Sequence, residues 1–321
     1  EFTGDKLTMI PQEAQEDLVF YADIQANEYT YTKEEIVEFA KQQYGKPYIS
    51  LTEGPNSFDC TGFVKYVYNH FGINEKYYRD ILINKRHIFL QHGITQNDLS
   101  RWLNRYNKNL SMFVTAAVPE YESIVNGSYF YDDSVVKLTG FARFDRLVDE
   151  SEKIITIMPT WRSNLVDKSK IVTDNVDGIR RYDISFKDTK YFHFYNKLLN
   201  NELLLKNAKE YGYKIRFMPH PNVINFIDWF DKSDEVEFCS ISTKYRDIFS
   251  TSSLVLTDYS SVAFDFAYLR KPLIYAHFDK KEFDVYHTHD KGYFDYESDG
   301  FGEVEYDLDS TVNRLIEYME N

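Results

Sequence analysis

The chain has 321 residues, enough for two domains and a sizeable core, and its 43% hydrophobic and 27% charged residues mark a folded globular protein. A net charge of −14, from 37 basic and 51 acidic side chains, argues against a nucleic-acid binder, whose affinity rests on neutralising phosphates with Lys and Arg. A small phosphate-bearing ligand stays open, because it needs only a few local donors.

Two cysteines, Cys60 and Cys239, make neither a disulfide framework nor a zinc knuckle and suit a reducing compartment. No stretch reaches the roughly 20 apolar residues that span a bilayer. The first residues lack a basic region followed by an apolar one, so no signal peptide is expected and membrane association would be peripheral. The chain begins without Met and is expected to be a piece of a longer protein.

In chain order, a helix is predicted around Gln12 to Asp23. Thr32-Lys33-Glu34-Glu35 reads as a second helix start, with a Thr N-cap, acids in the first turn and apolar Ile36, Val37, Phe39 and Ala40 beyond. Gly45-Lys46-Pro47 ends it, and another helix opens at Asp59. From residue 87 short apolar runs alternate with helical stretches. Strands are predicted at Ile88–Leu90, Phe113–Ala116, Val135–Leu138, Ile154–Ile157, Lys214–Phe217, Ser253–Leu256 and Leu273–Tyr275. This is the pattern of βα units around buried parallel sheets, in two blocks meeting near Phe141 to Glu152.

Open α/β sheets bind ligands beyond the carboxyl ends of their strands. Four such positions carry chemistry: His92-Gly93, Thr160-Trp161-Arg162, His220-Pro221, and Thr257-Asp258-Tyr259-Ser260-Ser261. His92 and His220, on different blocks, are placed to face one another, and imidazole is well poised to take a proton from a hydroxyl. The turn at Ser260 and Ser261 offers a helix entrance and hydroxyls to a phosphate, or else ordinary capping by Ser260. Arg162 reads as a bidentate phosphate clamp, or as a surface Arg. The other histidines (His70, His87, His193, His277, His287, His289) are expected to be structural or exposed. No Walker loop, no Gly-x-Gly-x-x-Gly and no metal-ligand cluster occurs.

Seven segments resemble the CDP-glycerol glycerophosphotransferase family, in family order over about residues 72–321. They are Tyr77-Tyr78-Arg79-Asp80; Phe89 to Thr95 with Asn97-Asp98-Leu99-Ser100; Leu138 to Phe141 with Arg143-Phe144-Asp145; Met158 to Arg162; Met218 to Pro221; Thr257 to Ser261; and Gly292 to Tyr296. The resemblance implies a GT-B-like α/β fold: two Rossmann-like lobes with a cleft between them, the N-terminal lobe incomplete. Its expected divisions are an N-terminal segment 1–72, the remainder of an acceptor lobe 73–150 and a CDP-polyol donor lobe 151–321.

The resemblance further implies transfer of glycerol phosphate from CDP-glycerol to the terminal hydroxyl of a lipid-linked teichoic-acid-type polymer, releasing CMP. The setting would be the inner face of the cytoplasmic membrane, with the protein cytoplasmic and peripheral. His92 would be the base and His220 would stabilise the departing phosphate. Arg162, Thr160, Asp258, Ser260, Ser261, Asn97 and Asp98 would bind substrate, with no cofactor, metal or nucleic acid. A CDP-ribitol-dependent homologue and an inactive CDP-polyol-binding remnant are the variants of this reading.

Residues 33–72 resemble instead the start of an NlpC/P60 cysteine peptidase domain, through Tyr44 to Tyr48 and Gly54 to Val64. The Cys of such a motif heads a helix, which makes it a nucleophilic thiolate. Cys60 fits that place as a vestigial nucleophile, but the histidine half of a peptidase is missing, so an active peptidase is the lesser alternative.

Overall fold

The computed structural model describes residues 31–46, 52–58, 60–73, 86–162, 165, 184–240, 243–286 and 290–320. The expected helix at 12–23, the Tyr77–Asp80 segment, Asp59, His287 and His289 lie outside these. At the front, α1 (Lys33–Lys41) starts on a capping box in which Thr32 and Glu35 satisfy each other's backbone N–H. It packs on α2 (Cys60–His70) through Phe39, whose ring stacks on His70 at 3.7 Å and meets Tyr66 and Phe71.

The first sheet holds β1 (Ile88–Phe89), β2 (Met112–Thr115) and β3 (Val136–Leu138), all parallel and in that order. Helix α3 (Val118–Asn126), opened by Pro119 in its first turn, covers it. Leu103, Phe113, Ile124, Tyr129 and Val136 fill the core of this lobe.

The second sheet is larger and also wholly parallel. Its strands are β4 (Ile154–Ile157), β5 (Lys214–Phe217), β6 (Val236–Phe238), β7 (Leu254–Thr257), β8 (Leu273–Ala276) and β9 (Glu303–Glu305). They lie in the order β6-β5-β4-β7-β8-β9. Every residue of β4, β7 and β8 is buried, as strands covered on both faces require. One face carries α4 (Lys190–Leu199), α5 (Glu202–Tyr211) and α9 (Leu308–Glu320), through Tyr195, Leu198, Leu204 and Leu315. The other carries α6 (Tyr245–Thr251) and α7 (Ala263–Tyr268), through Ile248, Phe249 and Phe266. Gly212 ends α5 in the left-handed conformation (φ +74°) that lets the chain turn at once into β5.

The order places β4 beside β7, with the chain leaving these two neighbours toward opposite edges of the sheet. That is the topological switch point, where the loops diverge and open a crevice. β6 and β9, which the apolar pattern does not announce, are three-residue edge strands bearing Glu237, Glu303 and Glu305. They form because a paired neighbour is already there.

A third apolar cluster joins the lobes: Ile94, Val114, Phe141 and Phe144 from the first pack with Phe264 and Phe294 from the second. The connecting strand of chain is stitched down as well. Glu150 and Glu152 donate their N–H groups to Ser250 and Thr251, and buried Lys271 reaches Ser250, Ser252 and Asp149.

Candidate active site

Two of the post-strand turns meet at one buried carboxylate. Asp258, directly after β7, is fully buried. Its Oδ1 accepts the N–H of Thr160 (2.8 Å), which follows β4, and that of Tyr259 (2.6 Å). Its Oδ2 accepts the Tyr195 hydroxyl (3.1 Å) and pairs with Arg162 (2.9 Å). The two sides of the switch point are thus tied by Asp258 itself.

Arg162 is only 4% exposed. Beyond Asp258, its Nε and Nη2 engage both oxygens of Asp279 at 2.7 and 3.1 Å, and Nη1 donates to the Thr160 carbonyl. Tyr259 completes the group by donating to Asp279 at 3.3 Å. Burial works against the guanidinium charge, yet the two carboxylates outweigh it and hold Arg162 well above its ordinary pKa. The donors expected of Arg162 as a phosphate clamp are therefore spent inside the protein. It acts on this site as the cation that keeps Asp258 and Asp279 together.

What is left facing outward is smaller and more neutral. Ser260 and Ser261 are half-buried, and Ser260 accepts the N–H of Val262 at 3.3 Å. The capping expected of Ser260 does not form: Val262 is the N-cap of α7 and makes no side-chain cap bond, and Ser260 instead closes the turn just ahead of the helix. Thr160 keeps a buried hydroxyl with no partner. His220 sits beside Trp161, ring centroids 6.3 Å apart. Its Nδ1 accepts the N–H of Asn222 at 3.1 Å, so the neutral ring carries its proton on Nε2. Burial pushes its pKa down to about 4, against the weaker pull of Asp258.

Across the lobe boundary lies the turn after β1. Its His92 is exposed. Gly93 lies so close to the Ser261 turn that a Cβ there would stand 3.0 Å from Ser261 Oγ. Gln96, buried, donates across the boundary to the Tyr259 carbonyl (2.7 Å) and the Tyr296 hydroxyl (2.9 Å). The loop of His92 thus borders the Ser261 turn through Gly93, while His220, in the second lobe, feels the charge of Asp258.

Asn97 and Asp98 fall in the seam instead. The Asp98 carboxylate accepts the N–H of Ser100 (2.8 Å), its own N–H pairs with the Asp290 carbonyl (3.0 Å), and the Asn97 carbonyl accepts Tyr129. Cys60 heads α2, whose packing partner is α1. Asp279 was not singled out in the sequence, although it stands three residues after β8 and the post-strand rule covers it. His277, just after β8, is buried and stacked on Tyr259, a structural place as expected.

Two parallel Rossmann-like sheets, with their carboxyl-end turns brought together at a lobe boundary, define a GT-B-like α/β protein. The solved structures agree. "Structure of the Wall Teichoic Acid Polymerase TagF" matches with a TM-score of 0.53 at 18% identity, over 88% of this chain and 75% of that one. A second TagF structure gives 0.55. Residues 70–321 match the family described as CDP-Glycerol:Poly(glycerophosphate) glycerophosphotransferase, and the chain belongs to that family.

Among curated proteins, the chain is 44% identical over 288 residues to the minor teichoic acid biosynthesis protein GgaB of Bacillus subtilis (strain 168). The match takes in 87% of this chain but spans only 31% of GgaB. That 87% exceeds the share made up by residues 70–321, so the likeness runs into the segment ahead of residue 70. The peptidase kinship expected of residues 33–72 finds no support, and part of the segment ahead of residue 70 is matched by GgaB.

Proposed function

We propose that the chain transfers a polyol phosphate from a CDP-polyol, CDP-glycerol first, to the terminal hydroxyl of a lipid-linked poly(glycerophosphate)-type acceptor, releasing CMP. The acceptor's lipid would place this reaction at the inner face of the cytoplasmic membrane. The observation that carries the reading is the juxtaposition of the His92 turn with the Ser260-Ser261 turn at the switch point. In this reading residues 73–150 present the acceptor, residues 151–321 hold the donor, and residues 1–72 form a separate N-terminal segment.

His92, exposed beside the cleft, takes the proton of the acceptor hydroxyl. The hydroxyl oxygen forms a bond to the glycerol-bearing phosphorus while the bond from that phosphorus to the CMP oxygen breaks. CMP leaves with the bonding pair. His220 serves as a neutral donor: its Nε2–H meets a phosphate oxygen whose negative charge grows as the bond breaks. Ser260 and Ser261 add hydroxyl donors, while Asp258, Arg162 and Asp279 fix the turns from beneath. Such a site works by positioning and fixed dipoles.

The test is CMP release from CDP-glycerol with a lipid-linked glycerophosphate primer. Turnover should vanish in His92→Ala and persist in Cys60→Ala. Binding of CDP-glycerol without any CMP release would leave only a donor-binding protein, and the reverse pattern of the two substitutions would overturn the assignment. CDP-ribitol run in parallel sets the donor.

A further inference from the structure

The turn that bears His92 is held in a conformation it would not choose. Gln91 sits at φ +61°, the left-handed region that costs a residue with a side chain of order 1 kcal/mol or more. Something must hold it there. The holder is Glu120 in the first turn of α3, a carboxylate with no exposed surface.

Glu120 Oε1 accepts the N–H of Thr95 at 2.6 Å, and Oε2 accepts the N–H of Ala116 at 2.8 Å. The Gln91 amide donates to Thr95 Oγ1 at 2.8 Å and reaches Glu120 Oε1 at 3.5 Å. One carboxylate thus spans the turn after β1 and the turn after β2, gripping the His92 turn at both of its ends. No Lys, Arg or His appears among these contacts; its donors are the N–H groups of Thr95, Ala116 and Ala117, the Gln91 amide and the Thr95 hydroxyl. Two backbone N–H groups converge on separate oxygens, which suits an acceptor-only side chain and opposes an amide of the same shape. Just beyond, Gln96 fixes the same loop to the donor lobe.

We propose that Glu120 is the positioning residue of the site: it sets the His92 imidazole against the donor turn and touches no substrate itself. The inference rests on the transferase reading above. A residue of this kind governs the reacting geometry, not the holding of donor, which lies with the other lobe. Its loss falls on kcat and spares the donor KM.

The experiment compares the full chain with Glu120→Gln, Gln91→Gly and His92→Ala in steady-state CMP release. Glu120→Gln should lower kcat at least tenfold with less than a twofold change in KM for CDP-glycerol. Gln91→Gly accommodates the left-handed backbone and frees the turn, so it should lower kcat the same way without loss of melting temperature. It carries the test if Glu120→Gln does not fold. Unchanged kcat in the folded variants, or a loss expressed mainly in donor KM, overturns the role of Glu120 while leaving His92 in place. Full turnover in His92→Ala, or none in the unsubstituted chain, overturns the underlying reading and this inference with it.

Discussion

At the scale of single residues, the site is organised by one cation between two buried carboxylates. Removing Arg162 leaves Asp258 and Asp279 without their counter-charge, in a place where water does not reach them. Arg162→Met should therefore cost about 3–5 kcal/mol of folding stability, read from urea or thermal unfolding. A stable variant that had lost only donor affinity would restore Arg162 as a ligand clamp. The post-strand rule alone finds His92, Thr160, Arg162, His220 and Asp258, because it depends on strand ends, which apolar runs make visible. Asp279 falls under the same rule but is passed over, and Glu120 lies outside it, for one physical reason. Written next to Lys280-Lys281 and in the opening turn of a helix, they look like ordinary solvated acids, and their partners appear only once the sheets are assembled.

At the scale of elements, the polar contacts of the seam between the lobes come from loops and helices and not from strand pairing across it. Backbone pairing of Asp98 with Asp290, the Gln96 bridge and the ion pair of Arg143 with Asp265 all lie within it. Gly292 packs there so tightly that an added Cβ would meet the Gln96 carbonyl at 2.1 Å and the Asn97 Cα at 2.7 Å. Gly292→Ala must push the segment at 290–296 off the loop that follows His92, an overpacking worth about 1–3 kcal/mol. Its turnover should fall more than its melting temperature implies; a variant with normal kcat would mean the seam plays no part in alignment. The seven strands expected from the sequence all form. The two unexpected ones, β6 and β9, carry acidic residues on exposed edges, so their pattern is masked and only pairing reveals them.

Across the whole molecule, two buried imidazoles link stability to pH. Burial pushes both His220 and His277 down to about 4, against about 6.5 in an unfolded chain. The unfolded state takes up these protons first, so stability that is full above about pH 6.5 is lost as pH falls toward 4. The upper bound is about 3 kcal/mol for each ring. Glu120 and Asp265, raised by burial, protonate more readily in the fold and offset part of that loss. Thermal melts at pH 7 and pH 5 should therefore show a smaller drop for His220→Gln or His277→Gln than for the unsubstituted chain. Parallel slopes would mean the rings are solvated.

The strand order has a consequence for synthesis. Arg162 emerges from the ribosome well before its counter-charges: Asp279 follows it by 117 residues, and Asp258 lies 98 residues beyond Thr160. At bacterial-to-eukaryotic elongation rates of roughly 5–20 residues per second, the wait is on the order of ten seconds. Meanwhile β4, β5 and β6 can pair, but β4, the innermost strand of the finished sheet, is an edge of apolar Ile154, Ile155 and Ile157 open to any other chain. The same crossing that creates the crevice thus leaves the nascent chain with an open apolar edge until β7 arrives to close it.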